Sequence, residues 1–260
     1  MDLHSYYTSG TTEHDRLYRT PHGRLELLRT KEIIRRDIPA RARVLDVGGG
    51  TGAHAEWLAA DGHSVHVIDP VPAHVEAAAS LPGVTASVGD AREPAVPTGS
   101  VDVVLLFGPL YHLCDVADRR LALAEAARVL RPGGVLFAAA ISRCLTLLET
   151  GSAGRLSAEL APRVAEVLAT GAYDGHVGFV PAHFHDADEL GAEVAAGGFT
   201  DVAVYGVEGP VWPTLDALGD NGFARMVDAA ARCARLVERD PRLIAASAHL
   251  IATGSPRAAS

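Results

Sequence analysis

The chain has 260 residues, of which 48% are hydrophobic and 21% charged, so it has enough apolar side chains for a sizeable core. Its formal net charge of -9 at pH 7 argues against a nucleic acid partner, because such proteins usually present a basic face to the phosphates. Three scattered cysteines without a C-x-x-C spacing argue against a disulfide framework and a thiolate zinc site. The first residues lack a signal-peptide pattern, and no apolar run approaches the ~20 residues that cross a bilayer. We therefore expect a cytoplasmic protein without a membrane partner.

The first half of the chain alternates strands and helices. A charged stretch from about Thr11 to Asp37 is helical in pattern, and Pro39 ends it. Short apolar runs predict strands Arg43–Val47, Ser64–Ile68, Val84–Val88, Val101–Phe107 and Val135–Ile141, joined by helices Ala53–Asp61, Ala73–Ser80 and Arg119–Leu130. This order predicts a doubly wound α/β fold, a parallel sheet with helices on both faces.

The pattern changes after Ser142. Residues Cys144–Thr170 are helical in pattern, and Gly171–Pro181 is typical of a loop. We interpret this region as a helical cap inserted over the carboxyl edge of the sheet. The remaining predicted elements are helices Asp186–Ala196 and about Phe223–Arg239 and strands Asp201–Val207 and about Ser247–Thr253.

The segment VLDVGGGTGAH, residues 44–54, carries a glycine-rich turn. Gly48, Gly50 and Gly52 follow a buried strand and open a helix, where the backbone turns tightly and a ligand can approach closely. Gly48, Gly50 and Ala53 also satisfy the dinucleotide pattern G-x-G-x-x-A, with Asp69 at the spacing of a ribose-binding acid. The turn alone is therefore compatible with a nicotinamide-dependent oxidoreductase.

Three further features favour another cofactor. Asp46 lies in the end of the first strand, Gly89-Asp90-Ala91 closes the third, and Arg131-Pro132-Gly133-Gly134 precedes the fifth. Together with the glycine turn, the region from about Arg43 to Ser142 resembles class I S-adenosylmethionine-dependent methyltransferases. The later strand order, with a hairpin-like last strand, is also similar to that family, which implies a seven-stranded, mostly parallel sheet with its last strand antiparallel.

The resemblance implies a role for each acidic position. Asp46 would lie near the ammonium group of S-adenosylmethionine, Asp69 would accept from both ribose hydroxyls, and Asp90 would contact adenine together with the Ala91 amide. Asp46 or Asp90 taken alone is equally well a turn or capping residue. At the carboxyl ends of successive strands, however, they converge where open α/β sheets bind ligands.

The remaining cofactor positions are uncharged. The resemblance implies that Gly48, Gly50 and Gly52 pass beneath the methionine part of the cofactor and that Phe107 and Gly108 flank it. Four agreeing strand ends favour S-adenosylmethionine over a dinucleotide, because a sulfonium and an ammonium suit acidic strand ends.

Residues Leu106–Asp115 follow the fourth strand, where the family places side chains beside the transferred methyl group. Tyr111 and His112 are therefore the catalytic candidates. Neutral His112 can accept a proton from a hydroxyl or ammonium nucleophile. The alternative is that Tyr111 packs under the cofactor and His112 only anchors the loop.

Two groups of residues are candidates for substrate binding. Tyr6 and Tyr7 could close the pocket by cation–π contact with the sulfonium, or simply pack or be disordered. His183, His185 and Trp212 lie in or after the cap. We predict no metal at His183-x-His185, because no carboxylate stands at a recognisable ligand spacing, and expect capping or hydrogen bonding by His185 instead.

We expect a single domain. Residues 1–40 would form an N-terminal helical lid, 43–142 the cofactor-binding core, 143–185 the cap and 186–260 the C-terminal half of the sheet. The predicted function is S-adenosylmethionine-dependent methyl transfer to an O, N or C atom of a small-molecule acceptor, by a monomer or homodimer. The alternatives are a non-methylating S-adenosylmethionine-consuming enzyme of cyclase or lyase type, a nicotinamide-dependent oxidoreductase, and a non-catalytic binding module.

Overall fold

The structure, a computed structural model, describes residues 13–257, with side chains from Arg16 onward. Tyr6 and Tyr7, two of the predicted substrate contacts, lie outside the described residues. No helix in the described range is long and apolar enough to cross a membrane.

A seven-stranded sheet forms the centre of the molecule. The strands are β1 Arg43–Val47, β2 Ser64–Asp69, β3 Val84–Val88, β4 Val101–Leu106, β5 Leu130–Ile141, β6 Ala172–Tyr173, β7 Ala182–His183, β8 Phe199–Gly206 and β9 His249–Pro256. The central sheet has the strand order β3-β2-β1-β4-β5-β9-β8, and a separate two-stranded sheet pairs β6 with β7. Strand β9, the last in the chain, is antiparallel to both neighbours, which confirms the predicted topology.

The helices lie between these strands and before the first. Within the described range they are α1 Glu13–Arg19, α2 Pro21–Asp37, α3 Ala53–Ala60, α4 Pro72–Ala79, α5 Pro109–His112, α6 Val116–Val129, α7 Leu145–Ser152, α8 Ala161–Thr170, α9 Ala187–Ala196 and α10 Trp212–Val237, with short 3-10 turns at Gly209–Val211 and Ile244–Ala246.

Both faces of the sheet are buried, and alternate residues of one strand belong to different cores. Val44 of β1 packs in a cluster with Leu58 of α3, whereas the next residue, Leu45, packs in a second cluster with Leu123 of α6. Alternation between two buried layers is the signature of a doubly wound sheet, and it explains the continuous apolar run of β1.

The N-terminal helix differs from the prediction. The stretch from Thr11 to Asp37 was predicted as one helix, but α1 ends at Arg19 and α2 begins at Pro21. Proline lacks the N–H that would continue α1, and its fixed φ suits the first position of a new helix. The Thr20 side chain accepts a hydrogen bond from the Gly23 amide at 3.1 Å and caps α2.

The cap is also more divided than expected. The helical stretch Cys144–Thr170 forms two helices, α7 and α8, and the predicted loop Gly171–Pro181 begins in the two-stranded sheet. Gly171 ends α8 with φ of 76°. Strands of two residues are too short to give a periodic pattern, so the sequence did not show them.

Two further boundaries were wrong. The predicted helix Phe223–Arg239 begins earlier, at Trp212, and is kinked at Gly219, where φ is 62°. Strand β5 begins at Leu130, before the predicted turn of residues 131–134, which forms a register shift against β4. A glycine with positive φ allowed the helix pattern to be interrupted without ending the helix.

Candidate active site

A cavity of about 790 Å³ lies at the carboxyl ends of the parallel strands. Ligand pockets in proteins typically measure about 300–1,000 Å³, so this one is large. Most of the predicted cofactor positions line it, namely Gly48, Gly50, Asp69, Asp90, Ala91, Phe107 and Gly108. We call the part of the cavity over β1 to β4 the cofactor half.

Asp69 contacts three neighbouring residues in the cofactor half. Its Oδ2 accepts a hydrogen bond from the Gly50 amide at 2.9 Å, and Oδ1 accepts from the Val71 amide at 2.9 Å. The His74 ring contacts Oδ1 at 3.1 Å, and the sequence did not indicate this partner. A carboxylate has about four acceptor sites, so Asp69 retains at least one for a ribose hydroxyl.

The glycine turn has the shape that the sequence predicts. Gly48 has φ of +72°, and a Cβ atom there would lie 2.7 Å from Cδ of Pro109. Gly52 has φ of +90° but does not line the cavity, and its missing Cβ makes room for Leu81 behind the turn. Gly48 therefore allows a close approach of α5, whereas Gly52 serves the packing of α3.

Asp46 lies beneath the turn rather than in the cavity wall. Its side chain is fully buried, and neither carboxylate oxygen has a hydrogen-bond partner among the described residues. Burial and the nearby charge of Asp69 raise the pKa of Asp46 to about 7. A cation on the other side of the turn would stabilise the ionised form of this carboxyl group.

Asp90 lines the cavity but is already paired. Arg92 donates to its Oδ1 from the backbone amide at 2.8 Å and from Nε at 2.9 Å, and to Oδ2 from Nη2 at 2.6 Å. Hydrogen bonds from Arg92 lower the pKa of Asp90 against the opposing effect of burial, so its carboxylate stays charged. Arg92 also lines the cavity and was not singled out from the sequence.

These residues fit S-adenosylmethionine. The buried Oγ1 of Thr51, which lines the cavity, and both oxygens of Asp46 have no hydrogen-bond partner within residues 16–257. Unsatisfied buried polar groups cost free energy, so such atoms around a cavity indicate a polar ligand. Asp69 and Asp90 in the cavity wall and Asp46 behind the glycine turn are acceptors, which suit a ligand that carries hydrogen-bond donors and positive charge.

The catalytic candidates lie in α5, directly after β4. Tyr111 and His112 both line the cavity, and their ring centroids are 4.6 Å apart. Phe179 of the cap packs near them, with centroid distances of 6.3 Å to Tyr111 and 5.5 Å to His112. The cap thus reaches the segment where the sequence places the chemistry.

The other part of the cavity, the acceptor half, lies over β5 and β9 and beneath the cap. Its wall is mainly apolar and includes Ile141, Leu145, Phe184, Trp212 and Ile251. Trp212 is almost fully buried, and its Nε1 donates to the Ala246 carbonyl at 3.1 Å. This hydrogen bond satisfies the only polar atom of the indole, and the role of Trp212 in substrate binding stays a prediction.

His183 and His185 do not line the cavity. The His183 ring contacts Glu189 at 2.9 Å, and the fully buried His185 ring contacts Glu193 at 3.3 Å. Arg119 also pairs with Glu193, at 2.7 Å. The sequence showed no carboxylate at ligand spacing, but the fold places Glu193 beside both histidines. Arg119 already neutralises that carboxylate, so the cluster is explained as an internal ion-pair network.

Several polar residues of the acceptor half come from distant parts of the chain. Among them are Arg16, His22, Glu26 and His249, from α1, α2 and the start of β9. Arg16 donates to both oxygens of Glu26, at 2.6 Å and 2.9 Å. The predictions contain neither Glu26 nor His249. Glu26 lies between Leu25 and Leu27 in an ordinary helical pattern, and only the position of His249 at the start of the last strand could have indicated it.

Residues 44–134 match the family model of the methyltransferase domain. The resemblance seen in the sequence is therefore confirmed: the chain carries a class I S-adenosylmethionine-dependent methyltransferase domain, and S-adenosylmethionine is the cofactor of that class.

Curated relatives agree with this class, and a solved structure shares the fold. An uncharacterised methyltransferase of Mycobacterium tuberculosis is 43% identical over 101 residues, 38% of this chain and 40% of the relative. A ubiquinone biosynthesis O-methyltransferase of Xanthomonas oryzae is 40% identical over 111 residues, 40% of this chain and 45% of the relative. The matches thus span less than half of either relative. An S-adenosylmethionine-dependent methyltransferase of Thermotoga maritima, described as a possible histamine N-methyltransferase, shares the fold with TM-score 0.57 at 18% identity, covering 91% of this chain and 92% of that one.

Proposed function

We propose that this protein transfers a methyl group from S-adenosylmethionine to a small molecule bound in the acceptor half of the cavity. The observation that carries the proposal is the continuity of the cavity, which runs from Gly48 and Asp69 in the cofactor half to Trp212 and Ile251 in the acceptor half. Cofactor and acceptor would lie in one space, as direct transfer requires.

The enclosure favours a small acceptor over a polymer. Cap residues Leu145, Tyr173 and Phe179 and the N-terminal residues Arg16 and Thr20 all line the cavity. A net charge of -9 also disfavours a nucleic acid substrate. The three cysteines are free, as is typical of a reducing compartment, which supports a cytoplasmic location.

Positioning is the main task of the protein in this reaction. S-adenosylmethionine, when bound, supplies an already activated methyl group on its sulfonium. Asp69 would hold the ribose, Phe107 and Gly108 would flank the methionine chain, and the cap would exclude water. Alignment of two reactants in one site supplies effective molarities of about 10⁵–10⁸ M.

Tyr111 and His112 are the residues proposed to contact the reacting end of the acceptor, because both line the cavity directly after β4. Proton removal by His112 would contribute about 10²–10⁴ in rate for a hydroxyl acceptor. The names of a relative and of a protein with the same fold include an O-methyltransferase and a possible N-methyltransferase, which supports O and N acceptors. C acceptors stay in the proposal on the sequence alone.

The test is to incubate the purified protein with methyl-labelled S-adenosylmethionine, with and without a pool of small metabolites. We expect S-adenosylhomocysteine and a labelled small product only when the pool is present. Consumption of the cofactor without the pool would instead support a cyclase or lyase type of reaction. Failure to bind S-adenosylmethionine, with binding of NAD in a parallel titration, would overturn both.

A further inference from the structure

The acceptor half ends in a charged cluster that methyl transfer by itself does not require. We call it the polar end and define it as Arg16, Glu26, Glu208 and His249. Arg16, Glu26 and His249 line the cavity, and Glu208 lies fully buried behind the His249 ring. Glu26 and Glu208 are buried and His249 is largely buried, whereas Arg16 is partly exposed. Ionisable side chains are costly to bury at the end of an apolar chamber, so their arrangement calls for an explanation.

Strand direction brings His249 to the cavity. It is the first residue of β9 and pairs with Ile141, the last residue of β5. Because β9 runs antiparallel to β5, its start lies at the same edge of the sheet as the carboxyl ends of the parallel strands.

Glu208 fixes the orientation of the His249 ring. Its Oε2 accepts a hydrogen bond from the His249 backbone amide at 3.0 Å, and its Oε1 accepts from Nδ1 of the same residue at 2.6 Å. Nδ1 is therefore a protonated nitrogen. Nε2 has no hydrogen-bond partner among residues 16–257, and it is the nitrogen that remains for a bound molecule.

The surrounding charges favour the protonated ring. Oε2 of Glu26 lies 3.4 Å from the same Nδ1, so two carboxylates flank His249. Burial opposes the charged form, but Glu26 and Glu208 outweigh it and raise the pKa of His249. Burial likewise opposes ionisation of Glu26, but Arg16 and His249 lower its pKa to about 2. In this state Nε2 carries a hydrogen and acts as a donor.

The distance to the cofactor half decides which part of the acceptor meets His249. Strand β9 is separated from β4 by β5 alone, so about 10 Å lies between β9 and the strand that leads to Gly108. That separation is about the length of a small aromatic molecule. His249 therefore faces the end of the acceptor that is remote from the methylated atom.

From this geometry we propose that the polar end anchors the acceptor by an oxygen atom, a carboxylate or a carbonyl, which accepts a hydrogen bond from Nε2 of His249. The inference rests on the proposed function and specifies its substrate class: an apolar body with an oxygen hydrogen-bond acceptor at the end opposite the methylated atom. An ammonium group at this position would meet the Nε2 donor of His249 and no acceptor on that ring.

A metal ion is the competing occupant, because ligand atoms of Glu26, Glu208 and His249 lie within 4.8 Å of one another. The structure favours the anchor, since Arg16 already neutralises Glu26 through both oxygens and a metal would have to displace the Nδ1 proton. Binding measurements with oxygen-containing probes and with metal ions distinguish the two occupants.

The test measures the binding of three probes with the same phenyl body to the protein saturated with S-adenosylhomocysteine. The probes are 3-phenylpropanoate, 4-phenylbutan-2-one and 3-phenylpropan-1-amine, and titration calorimetry gives each Kd. We expect one or both oxygen probes to bind at least about tenfold more tightly than the amine, as for a hydrogen bond to a charged donor. The ratio of acid to ketone affinity tells a carboxylate anchor from a carbonyl anchor.

In His249→Leu the preference should fall to within about threefold, while the Kd for S-adenosylhomocysteine stays unchanged. His66→Leu is the matched control, because this ring contacts Thr85 and Ser87 on β3 and does not line the cavity. Should His249→Leu fail to fold, Glu208→Gln serves instead and should weaken the oxygen probes by several fold.

Equal or tighter binding of the amine, a preference that survives in His249→Leu, or no binding of any probe would each overturn the anchor. Binding of Zn²⁺ or Mg²⁺ that Glu208→Gln abolishes would overturn it in favour of a metal site. A protein that binds S-adenosylhomocysteine but no probe contradicts only the anchor, whereas one that binds no adenosyl ligand contradicts the proposed function.

Discussion

Asp46 lies directly beneath Gly49: a Cβ atom at Gly49 would be 2.7 Å from Oδ2 of Asp46. The backbone of the glycine turn therefore separates the carboxyl group from the cavity, and any larger residue at Gly49 would collide with it. Asp46 is fully buried, and its oxygens have no hydrogen-bond partner within the described residues. The protein thus keeps a costly acid below its cofactor half, which suggests that the acid acts on the ligand through its charge.

This relationship predicts that Asp46→Asn increases the stability of the protein and lowers its affinity for the adenosyl ligand. The pKa of Asp46 is about 7 in the folded protein and about 3.9 in an unfolded chain. The folded state therefore binds more protons between these values, and stability falls as pH rises from about 4 to 7. Asparagine lacks this penalty, so the variant should be more stable than wild type at pH 8, by at most about 4 kcal/mol.

Thermal melts of the ligand-free proteins at pH 5 and pH 8 measure the stability difference, with the exposed Asp37→Asn as control. Calorimetry measures the effect on binding. The affinity of wild type for S-adenosylhomocysteine should rise between pH 6 and 7.5, because a bound ammonium favours ionised Asp46. In Asp46→Asn the affinity should be lower and nearly independent of pH. A variant that binds as well as wild type at pH 7.5 would contradict the assigned role.

Asp69 gives the second prediction, because it combines a ligand position with three hydrogen bonds inside the protein. Asp69→Ala should weaken S-adenosylmethionine binding by about 10- to 150-fold, the range for hydrogen bonds to a charged group. It should also lower the melting temperature, since the Gly50 and Val71 amides lose their acceptor. Titration of both adenosyl ligands measures the effect, and the exposed Glu76→Gln on α4 is the control that should leave the Kd unchanged.

The parts of the site that the sequence predicted are those set by local rules. Buried strands give apolar runs, and a tight turn with positive φ at Gly48 and Gly50 requires glycine, so both could be recognised without knowledge of the fold. The acids at the ends of β1, β2 and β3 followed, because parallel strands bring their carboxyl ends to one edge.

The parts that were missed depend on contacts between distant segments. The pairing of Glu26 with Arg16 and His249 involves α1, α2 and β9, and nothing in the helical pattern around Glu26 distinguishes it from a surface residue. The sequence proposed His183 for substrate binding, but its ring contacts Glu189 of α9 and does not line the cavity. Sequence periodicity reports which face is buried and does not report which neighbour lies there.

The approach of α5 to the glycine turn gives a third prediction. Gly48→Ala places a methyl group 2.7 Å from Pro109 and also strains the backbone, since φ is +72°. Gly99→Ala is the matched control, with φ of +62° and no heavy atom within 4 Å of the added Cβ. Both variants pay the left-handed strain of about 1–3 kcal/mol, so any additional loss in Gly48→Ala reports the collision.

We expect Gly48→Ala to melt below Gly99→Ala and to lose most of its affinity for S-adenosylhomocysteine, which Gly99→Ala should retain. Thermal melts and calorimetric titrations measure the two effects. Equal melting temperatures and equal affinities would show that the turn and α5 can separate at little cost.

The contact between the cap and α5 gives a fourth prediction. Phe179 packs near Tyr111 and His112 and lines the cavity. Phe179→Ala should therefore open the acceptor half, raising KM for the acceptor while the Kd for S-adenosylhomocysteine changes by less than about twofold. The partly exposed Leu156→Ala, in the same cap and away from the cavity, should leave both constants unchanged. A loss of cofactor affinity in Phe179→Ala would show instead that the cap supports the cofactor half.

Arg119 gives the last prediction, because it connects Glu193 to the residues that follow α5, the helix of the catalytic candidates. Its guanidinium is buried, pairs with Glu193 at 2.7 Å and donates to the carbonyls of Leu113 and Cys114 at 3.0 Å and 2.9 Å. Removing one partner of a buried ion pair costs about 3–5 kcal/mol, because the other charge is left without compensation. Arg119→Ala should thus lower stability by this amount, whereas its exposed neighbour Arg120→Ala should change it by less than about 0.5 kcal/mol. Because the two carbonyls directly follow α5, turnover should fall in Arg119→Ala even at temperatures where the variant is fully folded. Urea unfolding and initial rates measured on the same samples test the stability and the turnover. A variant that is destabilised but fully active would show that the Arg119 network does not determine the position of His112.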